Sequence, residues 1–401
     1  MAVSSVARIR PTESNLRSDT ALSEAAQRST ATSGYLPQLD GVRALAVLLV
    51  LMCHDTKTLG SIPVVRDLSR VGWIGVDLFF VLSGFLITSN LMRGEMSGSF
   101  IRSFYIRRAL RIWPLYFGLL VVSLAYQKII GFHQYVPWSY CIVLIQNFWP
   151  VHLIKTLKPT WSLCIEEHYY VVWPLLVLLL PKRILPYLLG FLFLCMVPLR
   201  MWGVSLGLSG KQLYTYTPFH LDGILLGSLI AVALILWKPA NKLLCNLGLA
   251  LMIGGGLITV PLLMRYRDDV AQTGVWTYWW VGLAMSGFVL LLIGLPLTRS
   301  LSRIFSLPGV VYVGKISYGI YLLHDLTFVL LDKLPMFRVM HPPWILSCIF
   351  LLFVFSLRVA VVIGVASLSW IVFERPILRL KDRIAPLNHS KRSMLLARPS
   401  E

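Results

Sequence analysis

Ten stretches of this chain are apolar enough and long enough to cross a bilayer, and they leave few folds open. They cover residues 36–56, 71–93, 110–130, 160–180, 183–201, 217–237, 243–264, 276–296, 309–331 and 344–373. Each meets the requirement of about 20 residues for an α-helix to traverse about 30 Å of hydrocarbon. In lipid every backbone N–H and C=O must be satisfied within the protein, which restricts spanning structure to helices and closed barrels. These runs are about twice as long as a barrel strand. The expected fold is therefore an all-α polytopic integral membrane protein, with ten transmembrane helices around a polar central cavity. Composition agrees: 57% of the 401 residues are hydrophobic, mean hydropathy is +0.72, and 14% are charged. A soluble domain carries about 25% charged residues.

An eleventh window, 136–151, is shorter and holds Pro137, Gln146, Asn147 and Pro150. Its status sets the sidedness of everything after it. Ten spans with a cytoplasmic N-terminus put most Lys and Arg on the inner side, whereas eleven divide them evenly. The positive-inside rule favours ten spans, both termini cytoplasmic, and 136–151 re-entrant or on the outer face. Residues 1–35, rich in Ser, Thr, Ala and Arg, are expected to form a disordered cytoplasmic tail with no signal peptide. Residues 36–380 form the membrane domain and 381–401 a basic cytoplasmic tail. The net charge of +19 does not call for nucleic acid. Its cations sit between apolar runs and in the tails, where topology and anionic membrane lipid account for them. The six cysteines all lie in apolar segments without a CxxC pair, so neither a disulfide frame nor a metal site is expected.

The first window carries the most informative pair of side chains. Arg43 and His54 are eleven residues apart, about 1100° at 100° per residue, so they share one helical face three turns apart. Ionisable residues inside a membrane are expensive and default to a functional reading. The bland alternative is a snorkelling arginine and an exposed helix end.

Ordering the other polar residues by depth extends the pattern. Asp77 in the second span, Glu166 and Glu167 in the fourth, His220 and Asp222 in the sixth and His324 in the ninth fall toward the outside. Arg43, Arg108, Arg111 and Lys315 fall toward the cytoplasm. The connection 94–111 is the most basic internal one. It reads as an interfacial amphipathic helix or as a phosphate-binding face, because Arg108 and Arg111 are i,i+3 neighbours with bidentate forks. A cytoplasmic polyanionic donor below and an outer-facing acceptor above would use these two layers. Several candidates have structural alternatives. Ser162 reads as an N-cap with Glu167 in the first turn. Gly223 and Gly227 read as a small-xxx-small packing pair, and Glu374-Arg375 as an interfacial ion pair. Ser83-Gly84 lacks the G-x-S-x-G elbow of a serine hydrolase. His133, His152 and His341 sit in loops and suggest nothing.

Six blocks in order then resemble one family. They are Leu39-Asp40-Gly41-Val42-Arg43-Ala44 with His54, GVDLFFVLSGFLI (75–87), FYIRRALRIWPLY (104–116), PTWSLCIEEHYY (159–170), GKISYGIYLLH (314–324) and FERP (373–376). The chain resembles the membrane-bound acyltransferase-3 family, which O-acylates bacterial surface glycans and some small molecules, over about residues 36–380. The resemblance implies transfer from acyl-CoA, usually acetyl-CoA, to a hydroxyl of an acceptor, most often a saccharide. It implies that His54 and Arg43 are essential, that Arg108 and Arg111 serve the donor side, and that Glu166 belongs to the site. Lys315 and Tyr318 are further donor-side candidates, and His220, Asp222, His324 and Trp161 acceptor-side candidates. The sixth-span block often has an arginine before its Leu-Asp, where this chain has His220.

The chemistry fits that implication. An imidazole with an ordinary pKa near 6.5 suits a base for the hydroxyl at neutral pH. Asp77 or Glu166 is a candidate to orient the His54 ring, and the alternative is that His54 itself carries the acyl group. The main rival is a transporter or flippase with buried charges along a substrate path, although no internal repeat or matched pair of broken helices is visible. A non-catalytic membrane assembly partner fits poorly with so many intramembrane titratable groups.

Overall fold

The computed structural model describes residues 36–59, 66, 69, 71–94, 97–131, 136–149, 153–265, 270–296, 299–334 and 344–384. Helices and helical turns make up its regular structure, and no strand occurs among the described residues. Helix stands in each of the ten windows. The helices are α1 (Pro37–His54), α2 (Ile74–Arg93), α3 (Gly98–Ile130), α4 (Trp161–Leu179), α5 (Leu185–Ser205), α6 (Asp222–Trp237), α7 (Asn241–Arg265), α8 (Val270–Gly294), then α9 (Pro308–Lys315) with α10 (Ser317–Leu331), and α11 (Trp344–Ser369). A final helix, α12 (Arg375–Ile384), continues from α11 through a π-turn at Trp370–Glu374. Among the described residues, eight helical segments are long and apolar enough to cross a membrane, and α6 and α10 are shorter apolar helices. The described part of the window, 136–149, holds a five-residue helix and a 3-10 turn, each too short to cross as a helix.

Two expectations about elements are corrected. The basic stretch 94–111 is not a separate interfacial helix, because from Gly98 onward it belongs to α3. Ser97 caps that helix by accepting from the Phe100 N–H at 3.2 Å, and Gly131 ends it in the left-handed region at φ 64°. At 33 residues α3 is about 50 Å long, well beyond a hydrocarbon core. Its arginine-bearing first turns therefore project past the bundle's apolar band. The ninth window is likewise not one helix: the chain breaks at Ile316, so Lys315 ends α9 and stands exposed outside α10.

Helix α2 is the most enclosed. Within its spanning window 67% is buried, against 17% for α7, so α2 is central and α7 peripheral. Close backbone approach makes this possible. A Cβ at Gly84 would overlap the backbone at Ile224 and one at Gly227 the backbone at Val81, so α2 and α6 touch through glycine. Gly223 packs against Phe80 on the same seam, as the small-xxx-small pattern predicts. On the outside, Leu179, Phe191, Leu257, Phe353 and many other large apolar side chains are exposed. Such a surface is intolerable in water and ordinary against lipid tails.

Candidate active site

Two polar clusters lie toward opposite ends of α1. At its start Arg43 pairs with Asp40 at 3.0 Å. Arg111 of α3 comes close enough to Arg43 and to Arg108 for both charges to act on it. Arg108 lies 5.3 Å over the Tyr170 ring, and Tyr170 donates to Glu166 at 3.0 Å. The other oxygen of Glu166 accepts from Ser83 at 2.7 Å. Glu167 accepts from the Trp113 indole at 3.2 Å. Glu374, on the π-turn, is buried against Gly319, accepts from Ser369 at 3.2 Å and lies within the field of Arg111. It is thus turned into the bundle, not spent on an interfacial anchor. Such π-turns often mark functional sites.

Glu166 is consequently nearer the arginines than expected. Ser83 lies six residues past Asp77 on α2, about 9 Å toward the arginine end. The misplacement has a clear cause. The fourth span begins at Lys155, with a 3-10 segment over Lys155–Thr160, so Trp161 is already inside the bundle. Ser162 accordingly is no N-cap: its hydroxyl meets Tyr321 Oη at 2.6 Å.

At the far end of α1, His54 Nδ1 bonds the Val50 carbonyl at 2.9 Å. A carbonyl only accepts, so Nδ1 carries the hydrogen and Nε2 keeps its lone pair. The His54 ring meets His324 edge-on, with centroids 4.8 Å apart. A ligand atom from each of His54, His324 and Asp325 lies within 4.8 Å of the others. Beside this group Arg358, buried midway along α11, binds Asp55 at 3.2 Å and Asp332 at 2.9 Å. It also lies over the Phe328 ring, which packs on His324. One guanidinium thus ties the chain following His54 to the end of the helix that carries His324.

A cavity lies between α2, α4 and α10, lined by Val76, Phe79, Phe80, Ser162, Leu163, Glu166, Ser317, Tyr318, Tyr321 and Leu322. Glu166 marks its arginine side. Tyr318, whose hydroxyl donates to the Ile112 carbonyl at 2.7 Å, lines the wall. Tyr321 lines it too, packs on His324 and accepts at its carbonyl from His324 Nδ1.

The remaining candidates form a third, sealed group. Asp77 and His220 Nε2 share a hydrogen bond at 2.9 Å, and Asp222 takes a bidentate pair of bonds from Arg200 at 2.7 and 3.1 Å. All four side chains are fully buried. Trp161 stacks on His220 at 5.9 Å and packs against Tyr214. Asp77 therefore does not orient His54, and neither does Glu166, whose bonds go to Ser83 and Tyr170. His220, Asp222 and Trp161 hold α2, α4, α5 and α6 together and offer no open face to an acceptor. Sequence reasoning passed over Arg200, Arg358, Asp55, Asp325 and Tyr321, and weighed Ser83 only as a hydrolase nucleophile. The two arginines carried a usable signal, since each falls within an apolar window. His133, His152 and His341 lie outside the described residues.

A family model described as an acyltransferase domain matches residues 36–369. The chain belongs to the acyltransferase-3 family. The peptidoglycan O-acetyltransferase OatA of Listeria monocytogenes is 29% identical over 317 residues, 72% of this chain and 49% of the relative. The O-acetyltransferase OatA of Staphylococcus aureus is 27% identical over 325 residues, 72% of this chain and 50% of the relative. The chain thus spans about half the length of the curated relatives it matches. No solved structure matches it. The matched region takes in α1 through α11 and with them the cavity, the His54 cluster and the arginine cluster apart from Glu374.

Proposed function

We propose that this chain is an O-acyltransferase of the cytoplasmic membrane, moving an acyl group, usually acetyl, from acyl-CoA to a saccharide hydroxyl. The observation that carries the reading is the division of labour along α1. Three arginines gather at one end, an unpaired imidazole nitrogen stands at the other, and a partly polar cavity lies alongside. Arg43 and His54 are about 16 Å apart along the helix axis at 1.5 Å per residue, a span suited to an extended pantetheine arm. In this reading Arg43, Arg108 and Arg111 hold the phosphates of the donor on the cytoplasmic side, as forked guanidinium groups do. Both termini are then cytoplasmic. Tyr318 and Glu166 line the path of the arm, and Lys315 extends the basic rim.

His54 acts as general base through Nε2. It takes the proton of the acceptor hydroxyl while that oxygen attacks the thioester carbon, and the departing thiolate recovers the proton. The named relatives' O-acetyl transfer and the family membership favour this reading over a transporter or flippase. Membranes holding the protein, given labelled acetyl-CoA, should transfer label to saccharide in O-linked, mild-base-labile form. Mass spectrometry of surface glycans from cells with and without the gene should show a matching acetyl mass difference. Label that stays with the lipid or donor pool in both membranes and cells contradicts the proposal.

A further inference from the structure

The cluster around His54 contains more acceptors than donors. His54 and His324 each give their Nδ1 hydrogen to a backbone carbonyl, of Val50 and Tyr321 respectively, which leaves both Nε2 atoms as bare lone pairs. His324 Nε2 and Asp325 Oδ1 are buried, have no hydrogen-bond partner and stand 3.9 Å apart. That is about 0.7 Å beyond a good hydrogen bond. Buried polar atoms without partners are rare in native proteins and need a reason. Two imidazole lone pairs and a carboxylate oxygen, brought together from α1 and α10, require something positive among them.

We propose that His324 and Asp325 are the proton-sharing partners of His54, a positioning pair that stabilises the imidazolium formed during acyl transfer. The inference rests on the acyl-transfer reading above; the His54 ring itself is held at Nδ1 by the Val50 carbonyl. The acceptor O–H bond breaks and its proton goes to His54 while the oxygen bonds to the thioester carbon. The proton is then shared with His324 Nε2, whose new N–H closes on Asp325 Oδ1. When the carbon–sulfur bond breaks, the proton returns through His54 to the thiolate, so none is gained or lost over the cycle.

The charged and titratable groups near the pair are Asp325, the Asp55–Arg358–Asp332 network, Lys155, Cys53 and Tyr321. Three carboxylates thus face two cations, which leaves one negative charge for an imidazolium to balance.

The test compares unaltered protein, His324→Gln, Asp325→Asn and Asp325→Glu in detergent or proteoliposomes, with labelled acetyl-CoA and a chito-oligosaccharide acceptor. Asp325→Asn is nearly isosteric and keeps the protein folded if His324→Gln does not. The expected result is a kcat loss of about 100-fold for His324→Gln, within the range for a base partner, and about 10-fold for Asp325→Asn. KM for acetyl-CoA should stay unchanged in both. Asp325→Glu should recover most of the loss, which a purely structural role would not allow. Unaltered kcat in either of the first two variants overturns the inference while acyl transfer stands. So does one equivalent of tightly bound metal that both variants lose, since an ion would then occupy the place given to the proton. No transfer by the unaltered protein to any saccharide overturns the function reading, and the inference with it.

Discussion

Spacing put Arg43 and His54 on one apolar helical face, but on spacing alone a snorkelling arginine and an exposed helix end stayed open. What each polar side chain bonds was not legible in the sequence. Asp77 and His220 are 143 positions apart and meet at 2.9 Å only because α2 and α6 touch. The same holds for Ser83, dismissed as a nucleophile for want of an elbow, which donates instead to Glu166. Arg200 and Asp222 illustrate the energetic side. A bidentate pair with no exposed surface leaves an uncompensated charge when one partner is removed. Arg200→Met is therefore expected to destabilise the protein by about 3–5 kcal/mol, read as a fall in the thermal midpoint in detergent. The double variant Arg200→Met/Asp222→Leu should recover much of that loss. If Arg200→Met melts like the unaltered protein, the pair is not the structural tie assigned to it.

At the scale of elements, hydrophobic run length located the helices well, since a membrane core rewards length and apolarity with little regard to tertiary context. It failed where backbone geometry intervenes. The break at Ile316, the extension of α3 and the 3-10 entrance before Trp161 have no signature in hydropathy, and the last of these displaced Glu166 from its true level. Glycine gives a sharper test of the packing. Gly227 sits against the backbone at Val81, whereas Gly254 has open space around it. Gly227→Val should prevent α2 and α6 from meeting and abolish monodisperse protein after solubilisation. Gly254→Ala should leave yield and thermal midpoint unchanged or slightly raised, because alanine favours a helix by about 1 kcal/mol. Equal behaviour of the two would contradict the seam.

Across the whole molecule, the polar residues sort by task. The sealed Asp77–His220 and Arg200–Asp222 pairs hold helices together. The arginine cluster and the His54–His324–Asp325 group lie on either side of a cavity that neither the sealed pairs nor the lipid-facing surface requires. The central claim is that donor recognition and proton transfer are separated along α1. Steady-state kinetics of acetyl transfer to saccharide by purified protein test it most directly, comparing the unaltered chain with His54→Ala and with the double variant Arg108→Ala/Arg111→Ala. The account predicts that His54→Ala abolishes turnover with donor binding intact. It predicts that the arginine pair raises the KM for acetyl-CoA by about 10-fold or more, with kcat changed far less. Full turnover by His54→Ala, or an unchanged KM in the arginine double variant, would contradict it.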